Sequence, residues 1–155
     1  MLTTPMKKLI TEHSAGMVAT IDAQGLPAVS PKATFVIVDD ETLAYGDIRS
    51  PGTARNLGSQ PAVQVCFLDP IRRKAVRVAG TGEIVPKDEA DAAMLAAFES
   101  TWAPYLKTIK SFVRINIKSA QLILSPAYDI GLTEAELVNT NLARLNALHE
   151  AGTPD

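Results

Sequence analysis

Short runs of alternating apolar and polar residues, separated by turn residues, dominate the chain from Met17 to Val85. A period of two places successive side chains on opposite faces of an extended strand, so each run is a predicted strand. Strands are predicted over 17–22 (MVATID), 27–38, 43–47 (LAYGD), 63–69 (VQVCFLD) and 75–85 (AVRVAGTGEIV), with a last one over 113–124. Asp22-Ala23-Gln24-Gly25 and Asp39-Asp40-Glu41 are turn chemistry, and Gly25 is free to take a positive φ. Gly80 and Gly82, inside a strand pattern, predict a bulge or sharp bend.

Helical signals lie between and outside these strands. Thr4 can cap an opening helix, with Pro5 in its first turn and Gly16 as its stop. A short helix over 53–59 ends at Pro61, an alanine-rich helix covers 87–100, and Thr133…Glu136 is a capping box opening a final helix over about 133–150. Its stripe of Val138, Leu142, Leu145 and Leu148 is expected to cover its own barrel. The tail after His149 is expected to fray. Six closely connected, antiparallel strands favour an all-β-dominated fold, a small closed barrel with flanking helices, within a single domain spanning 1–155.

Composition narrows the function. With 155 residues, 46% hydrophobic and 21% charged, the chain is an ordinary globular domain rather than a disordered one. No apolar run approaches a membrane span, the N-terminus lacks the pattern of a secretory signal, and a cytoplasmic address is expected. One cysteine, Cys66, excludes an intrachain disulfide framework, and two histidines at opposite ends, His13 and His149, argue against a metal centre. A net charge of −2 argues against a nucleic-acid partner.

Candidate chemistry is concentrated in two places. Alternation across 29–38 puts Ser30, Lys32, Thr34, Val36 and Val38 on one face and Val29, Pro31, Ala33, Phe35 and Ile37 on an apolar, core-like face. A mid-strand lysine either reaches solvent, as an edge-blocking residue, or meets an anion. Downstream, Arg49-Ser50-Pro51-Gly52-Thr53-Ala54-Arg55-Asn56 feeds a helix N-terminus. Free N–H groups, hydroxyls and forked arginines there suit a phosphate monoester, or equally a capped surface helix with solvated arginines. Arg77 either adds charge to the same cavity or pairs with Glu83. Trp102 and Tyr105 can stack on a planar ligand or pack in the core. No nucleophile–base pair is evident, so redox or transfer chemistry here requires a borrowed cofactor.

The ordered set VATIDAQGLPAVSPK, LAYGDIRSPGTARNL, QPAVQVCFLDP and VRVAGTGEIV closely resembles the pyridoxamine 5′-phosphate oxidase-like family of FMN-binding split barrels. The resemblance implies a six-stranded antiparallel split β-barrel forming a homodimer, with FMN at the subunit interface. It implies that Ser30 and Lys32 line the flavin site, that Asp47, Ile48 and Arg49 run along the flavin, and that Ser50, Thr53, Arg55 and Asn56 bind its phosphate, with Lys32 and the helix start at Thr53 converging on that one phosphate. The chain ends in LNALHEAGTPD, without the arginine- and histidine-containing substrate segment of true pyridoxamine-phosphate oxidases, so vitamin B6 synthesis is not expected. The implied function is an FMN-dependent oxidoreductase with a nicotinamide or small organic redox partner. The alternative is a non-catalytic module of the same fold that binds or stores a flavin, haem or deazaflavin.

Overall fold

The computed structural model describes residues 1–152. Its strands are β1 (Gly16–Ile21), β2 (Pro27–Lys32), β3 (Phe35–Ile37), β4 (Thr42–Asp47), β5 (Ala62–Asp69), β6 (Lys74–Pro86) and β7 (Ser111–Leu124). Helices α1 (Thr4–Glu12), α2 (Pro51–Ser59), α3 (Ala92–Trp102) and α4 (Glu134–Ala151) flank them. The seven strands form one sheet in the order β2-β1-β5-β6-β7-β4-β3, antiparallel throughout. β2 and β3 are therefore the two outer strands, yet only Ala33 and Thr34 separate them. Three peptide steps reach at most roughly 11 Å. The sheet must curl until its edges nearly meet, giving an antiparallel half-barrel.

The same two residues explain why there are seven strands rather than the expected six. The segment 27–38 breaks at Ala33–Thr34, and its halves pair with different neighbours: β2 with β1, and β3 with β4. The break also resets the faces. In β3 the expectation holds, since Phe35 is buried and Ile37 packs against the main core. In β2 it is reversed: Val29 is 65% exposed, Pro31 is exposed, and Ser30 and Lys32 are the half-buried pair. Lys32 and Ser30 lie opposite Gly16 and Val18 of β1, both buried, so they face the barrel interior.

The core has two parts. Val18, Phe35, Leu43, Tyr45, Val65, Phe67, Val76, Val78 and Ile115 fill the curled sheet, with α1 against them. Val36, Ala44, Val85, Met94, Phe98, Ile109 and Phe112 pack under α3. Gly16 does not stop α1, which ends at Glu12; it opens β1. A Cβ at Gly16 would sit 2.8 Å from each of Phe35, Val65 and Phe67. The expected bulge is present as a register shift between Ala79 and Gly80 against β7. Gly25 takes φ 81° in a turn where Asp22 Oδ1 accepts from the Gln24 and Leu26 amides.

α4 begins at its capping box, with Thr133 and Glu136 bonding reciprocally. Its packing differs from the expectation. Leu137 and Asn141 face the body, whereas Leu142, Leu145 and Leu148 are exposed. Polar contacts hold the helix in this orientation: Asn141 Nδ2 donates to Ile71 O at 2.9 Å, and Glu134 pairs with Lys74 and Arg72. Glu150 and Ala151 are helical rather than frayed, and residues 153–155 of the tail lie outside the described residues.

Candidate functional site

β2 supplies the first wall. Its inner residues Ser30 and Lys32 cannot enter the apolar core without cost, so they stay at the rim where the sheet edges approach. Lys32 Nζ donates to Ser30 Oγ and, at 3.4 Å, to Pro31 O. Burial pushes the Lys32 ammonium below its ordinary range, and the Asp47 charge partly offsets this.

The second wall is the start of α2. Pro51 occupies the first turn, and Ser50, at the cap position, makes no side-chain capping bond. The first-turn N–H groups of Gly52 and Thr53 therefore lack helical partners, as the first amides of any α-helix do. A Cβ on Gly52 would meet nothing within 4 Å, so the helix tip is open. Thr53 is only 7% exposed, yet among the described residues its hydroxyl has no hydrogen-bond partner. Asn56, one turn on, is tied down: its Nδ2 donates to Thr20 Oγ1 of β1 at 3.0 Å.

Two clefts meet here. The first, about 310 Å³, is lined by Thr20, Ser30, Arg49, Ser50, Thr53 and Asn56 with neighbouring backbone. The second, about 480 Å³, is lined by Lys32, Thr34, Gly46, Ile48, Arg49 and Lys110, among others. Arg49 and Ser50 belong to both, so the clefts form one bent groove. The groove brings together seven of the nine residues singled out from the sequence. Lys32 and Thr53, expected at one phosphate, line different halves, because the Lys32 amine turns to Ser30 Oγ. Asp47 and Arg55 line neither cleft. Asp47 O accepts from Lys110 N at 2.9 Å, and its Oδ1 is buried without a partner among the described residues.

Three further groove residues, Thr20, Thr34 and Lys110, are not among the candidate site residues of the sequence, though alternation places Thr34 on the face of Ser30 and Lys32. Thr20 has a signal, since alternation with Val18 turns it inward. Thr34, whose Oγ1 donates to Gly46 O at 2.8 Å, takes its place from the strand break. Lys110 comes from the start of β7 and has no local signal. Other candidates lie elsewhere. Arg77 Nη2 donates to Gln121 Oε1 at 2.7 Å, while Glu83 pairs with Arg114. Trp102 Nε1 donates to Phe35 O at 2.9 Å, and its ring packs on Tyr105, a structural role. His13 Nε2 lies 3.3 Å from the buried Asp69.

A family model described as pyridoxamine 5′-phosphate oxidase matches residues 2–124. The chain belongs to this family. Among solved structures, HupZ of Group A Streptococcus is 29% identical to this family member, with a TM-score of 0.69 over 81% of this chain and 96% of HupZ. HutZ, the heme storage protein of Vibrio cholerae, is 20% identical, with a TM-score of 0.63 over 80% of this chain and 95% of that one. An FMN-binding protein from Syntrophomonas wolfei is 13% identical, with a TM-score of 0.63 over 77% and 84% respectively. The last two share the fold at low identity. No curated protein matches this family member. Among its described residues, no helix is long and apolar enough to cross a membrane.

Proposed function

We propose that this chain is an FMN-binding flavoprotein, acting as a homodimer and moving electrons between the flavin and a small-molecule redox partner such as a reduced nicotinamide. The observation that carries the reading is Thr53: a threonine lining the cleft beside the open N-terminus of α2, whose hydroxyl no described residue engages. Its Oγ1 opens into the cleft rather than being sealed in the core, so a ligand there can use it without displacing a protein bond. A phosphate monoester is the ligand that also uses the helix-tip N–H groups and the dipole.

The chain's residues fit the group. Gly52 and Thr53 amides, the Thr53 hydroxyl, Ser50 and Arg49 would hold the phosphate, and Ser30 would close that cleft from β2. The planar ring would lie in the adjoining cleft between Lys32, Thr34 and Ile48. When bound, FMN supplies an acceptor for a hydride or for two successive electrons. Lys32 would place positive potential beside the ring and favour negative charge arriving there. The Asn56–Thr20 bond would keep the start of α2 in register with β1.

The dimer rests on surface chemistry. Met17, Ala19 and Ile21 of β1 sit opposite Pro31, Val29 and Pro27 of β2, forming an apolar outer sheet face. Met17 is 50% exposed, and Leu68 on β5 and the α4 leucines extend the apolar surface. Such a patch, beside the groove, suits a second copy of the chain. Haem is the weaker reading for this groove, since no histidine lines either cleft.

The test is a fluorescence titration of the purified chain with FMN and with riboflavin. Saturable quenching at one FMN per protomer, with riboflavin at least about tenfold weaker, is expected. A chain that ignores FMN refutes the reading. Anaerobic reduction of the bound flavin by reduced nicotinamides then separates electron transfer, which gives fast saturable reduction, from storage, which gives none.

A further inference from the structure

The flavin groove makes no use of the outer edge of β3. This strand ends the sheet and pairs only with β4. Gly46 N donates to Thr34 O at 3.3 Å and Val38 N to Thr42 O at 3.0 Å. Residues 34, 36 and 38 therefore carry the bonds to β4, and antiparallel alternation turns the N–H and C=O groups of Phe35 and Ile37 to the outside. Phe35 O accepts from Trp102 Nε1 at 2.9 Å. Among the described residues, nothing engages Phe35 N–H, Ile37 N–H or Ile37 C=O.

That edge floors a hollow of about 350 Å³. Thr11 and Ser14, at the end of α1 and just beyond it, line one wall, and Ala97, Thr101 and Trp102 of α3 line the other. No charged side chain lines the hollow, and it shares no residue with the two clefts of the flavin groove. Leu2 N donates to Asp40 O at 2.7 Å and Lys7 pairs with Asp40, so α1 is tied to the β3–β4 hairpin and its wall is fixed. The Thr11 and Ser14 hydroxyls have no partner among the described residues.

We infer that this hollow is a second small-molecule site, for an uncharged planar ring that carries a hydrogen-bond donor beside an acceptor on one edge, as a lactam or a nucleobase does. The N–H and C=O of Ile37 point the same way and present the complementary pair. The volume falls in the range of ligand pockets. A charged ring would leave water for a hollow that offers no counter-charge. A strand added from another chain is disfavoured, because the Trp102 indole already covers the edge at Phe35 O. The site stands independently of the flavin reading, since no lining residue is common to both.

Trp102 is the only tryptophan of the chain and lines the hollow, so its fluorescence reports occupancy. The purified chain, with and without FMN, is titrated with uracil, 1,3-dimethyluracil and orotate. Uracil should give a saturable change with a Kd below about 5 mM, shifted less than about threefold by FMN or by about 0.5 M NaCl. 1,3-Dimethyluracil, which has no donor, and orotate, which adds a carboxylate, should each bind at least about fivefold more weakly. Ala97→Leu and Thr101→Phe, which fill the hollow from α3, should each weaken uracil at least about fivefold and leave the FMN Kd within about threefold, with thermal melts as the folding control. No saturation by uracil, an analogue that matches it, displacement of uracil by FMN, or unchanged affinity in a folded, filled variant overturns the inference. So does a blocked alanine tripeptide that binds more tightly than uracil, which would assign the edge to an added strand.

Discussion

Replacing Thr53 by valine removes one hydroxyl and keeps the shape of the side chain. Thr53 Oγ1 has no protein partner among the described residues, so the free protein loses no hydrogen bond. Its stability should change by no more than about 0.5 kcal/mol. Binding should change far more. A hydrogen bond to a charged phosphate contributes about 1.5–3 kcal/mol. At about 1.4 kcal/mol per factor of ten, the FMN Kd should rise about 10- to 150-fold. Thr53→Ser keeps the hydroxyl and should stay within about threefold of the parent. Riboflavin, which lacks the phosphate, should bind the parent and Thr53→Val equally. The assay is flavin fluorescence quenching, with thermal melts as the folding control. Thr53→Val binding FMN as tightly as the parent would show that the helix tip of α2 is not the phosphate site. So would an equal loss of FMN and riboflavin affinity.

Three further outcomes are expected. Asp69 is 2% exposed and accepts from Ile71 N at 2.9 Å, Arg72 N at 2.8 Å and Arg72 Nη1 at 3.1 Å. Burial pushes its carboxyl up, but the Arg72 and Ile71 bonds outweigh this and hold it below the ordinary range. Its stabilisation is therefore complete above about pH 4 and lost as pH falls through the folded value. Asp69→Asn should cost about 3 kcal/mol in urea melts at neutral pH, and the gap to the parent should narrow below about pH 4. Gly16→Ala should cost about 1–3 kcal/mol by thermal melt, because three buried side chains must move; an unchanged melting temperature would contradict the packing of β1. Met17→Glu combined with Val29→Glu should sediment as a folded monomer, and an intact dimer would place the interface elsewhere.

How much of this was legible beforehand depended on the range of the interactions involved. The turn at Gly25, the bulge at Gly80 and the capping box at Thr133 are set by neighbours within a few residues, and each is where the pattern puts it; α2 starts at Pro51, two residues before the expected Thr53. The face of β2 was not readable. Alternation gives which residues share a face, but not which face is inside, and the break at Ala33–Thr34 turns one half of the segment over relative to the other. Gly16 looks like a helix stop locally, and only the rings of Phe35 and Phe67 show why no side chain fits there. The stripe on α4 is correct as periodicity, but polar anchors at Asn141 and Glu134 turn it outward.

By itself, the sequence determined the antiparallel strands, the family and the two segments, 30–32 and 49–56, that supply most of the groove. These follow from short-range geometry: a two-residue repeat, turn chemistry and an uncapped helix start. Tertiary structure alone decided that the sheet curls through a two-residue link, that Lys32 and Thr53 sit in adjoining halves of one groove, and that Lys110 completes it. Those outcomes depend on residues far apart in the chain competing for the same space and the same hydrogen-bonding edges, which no local pattern records.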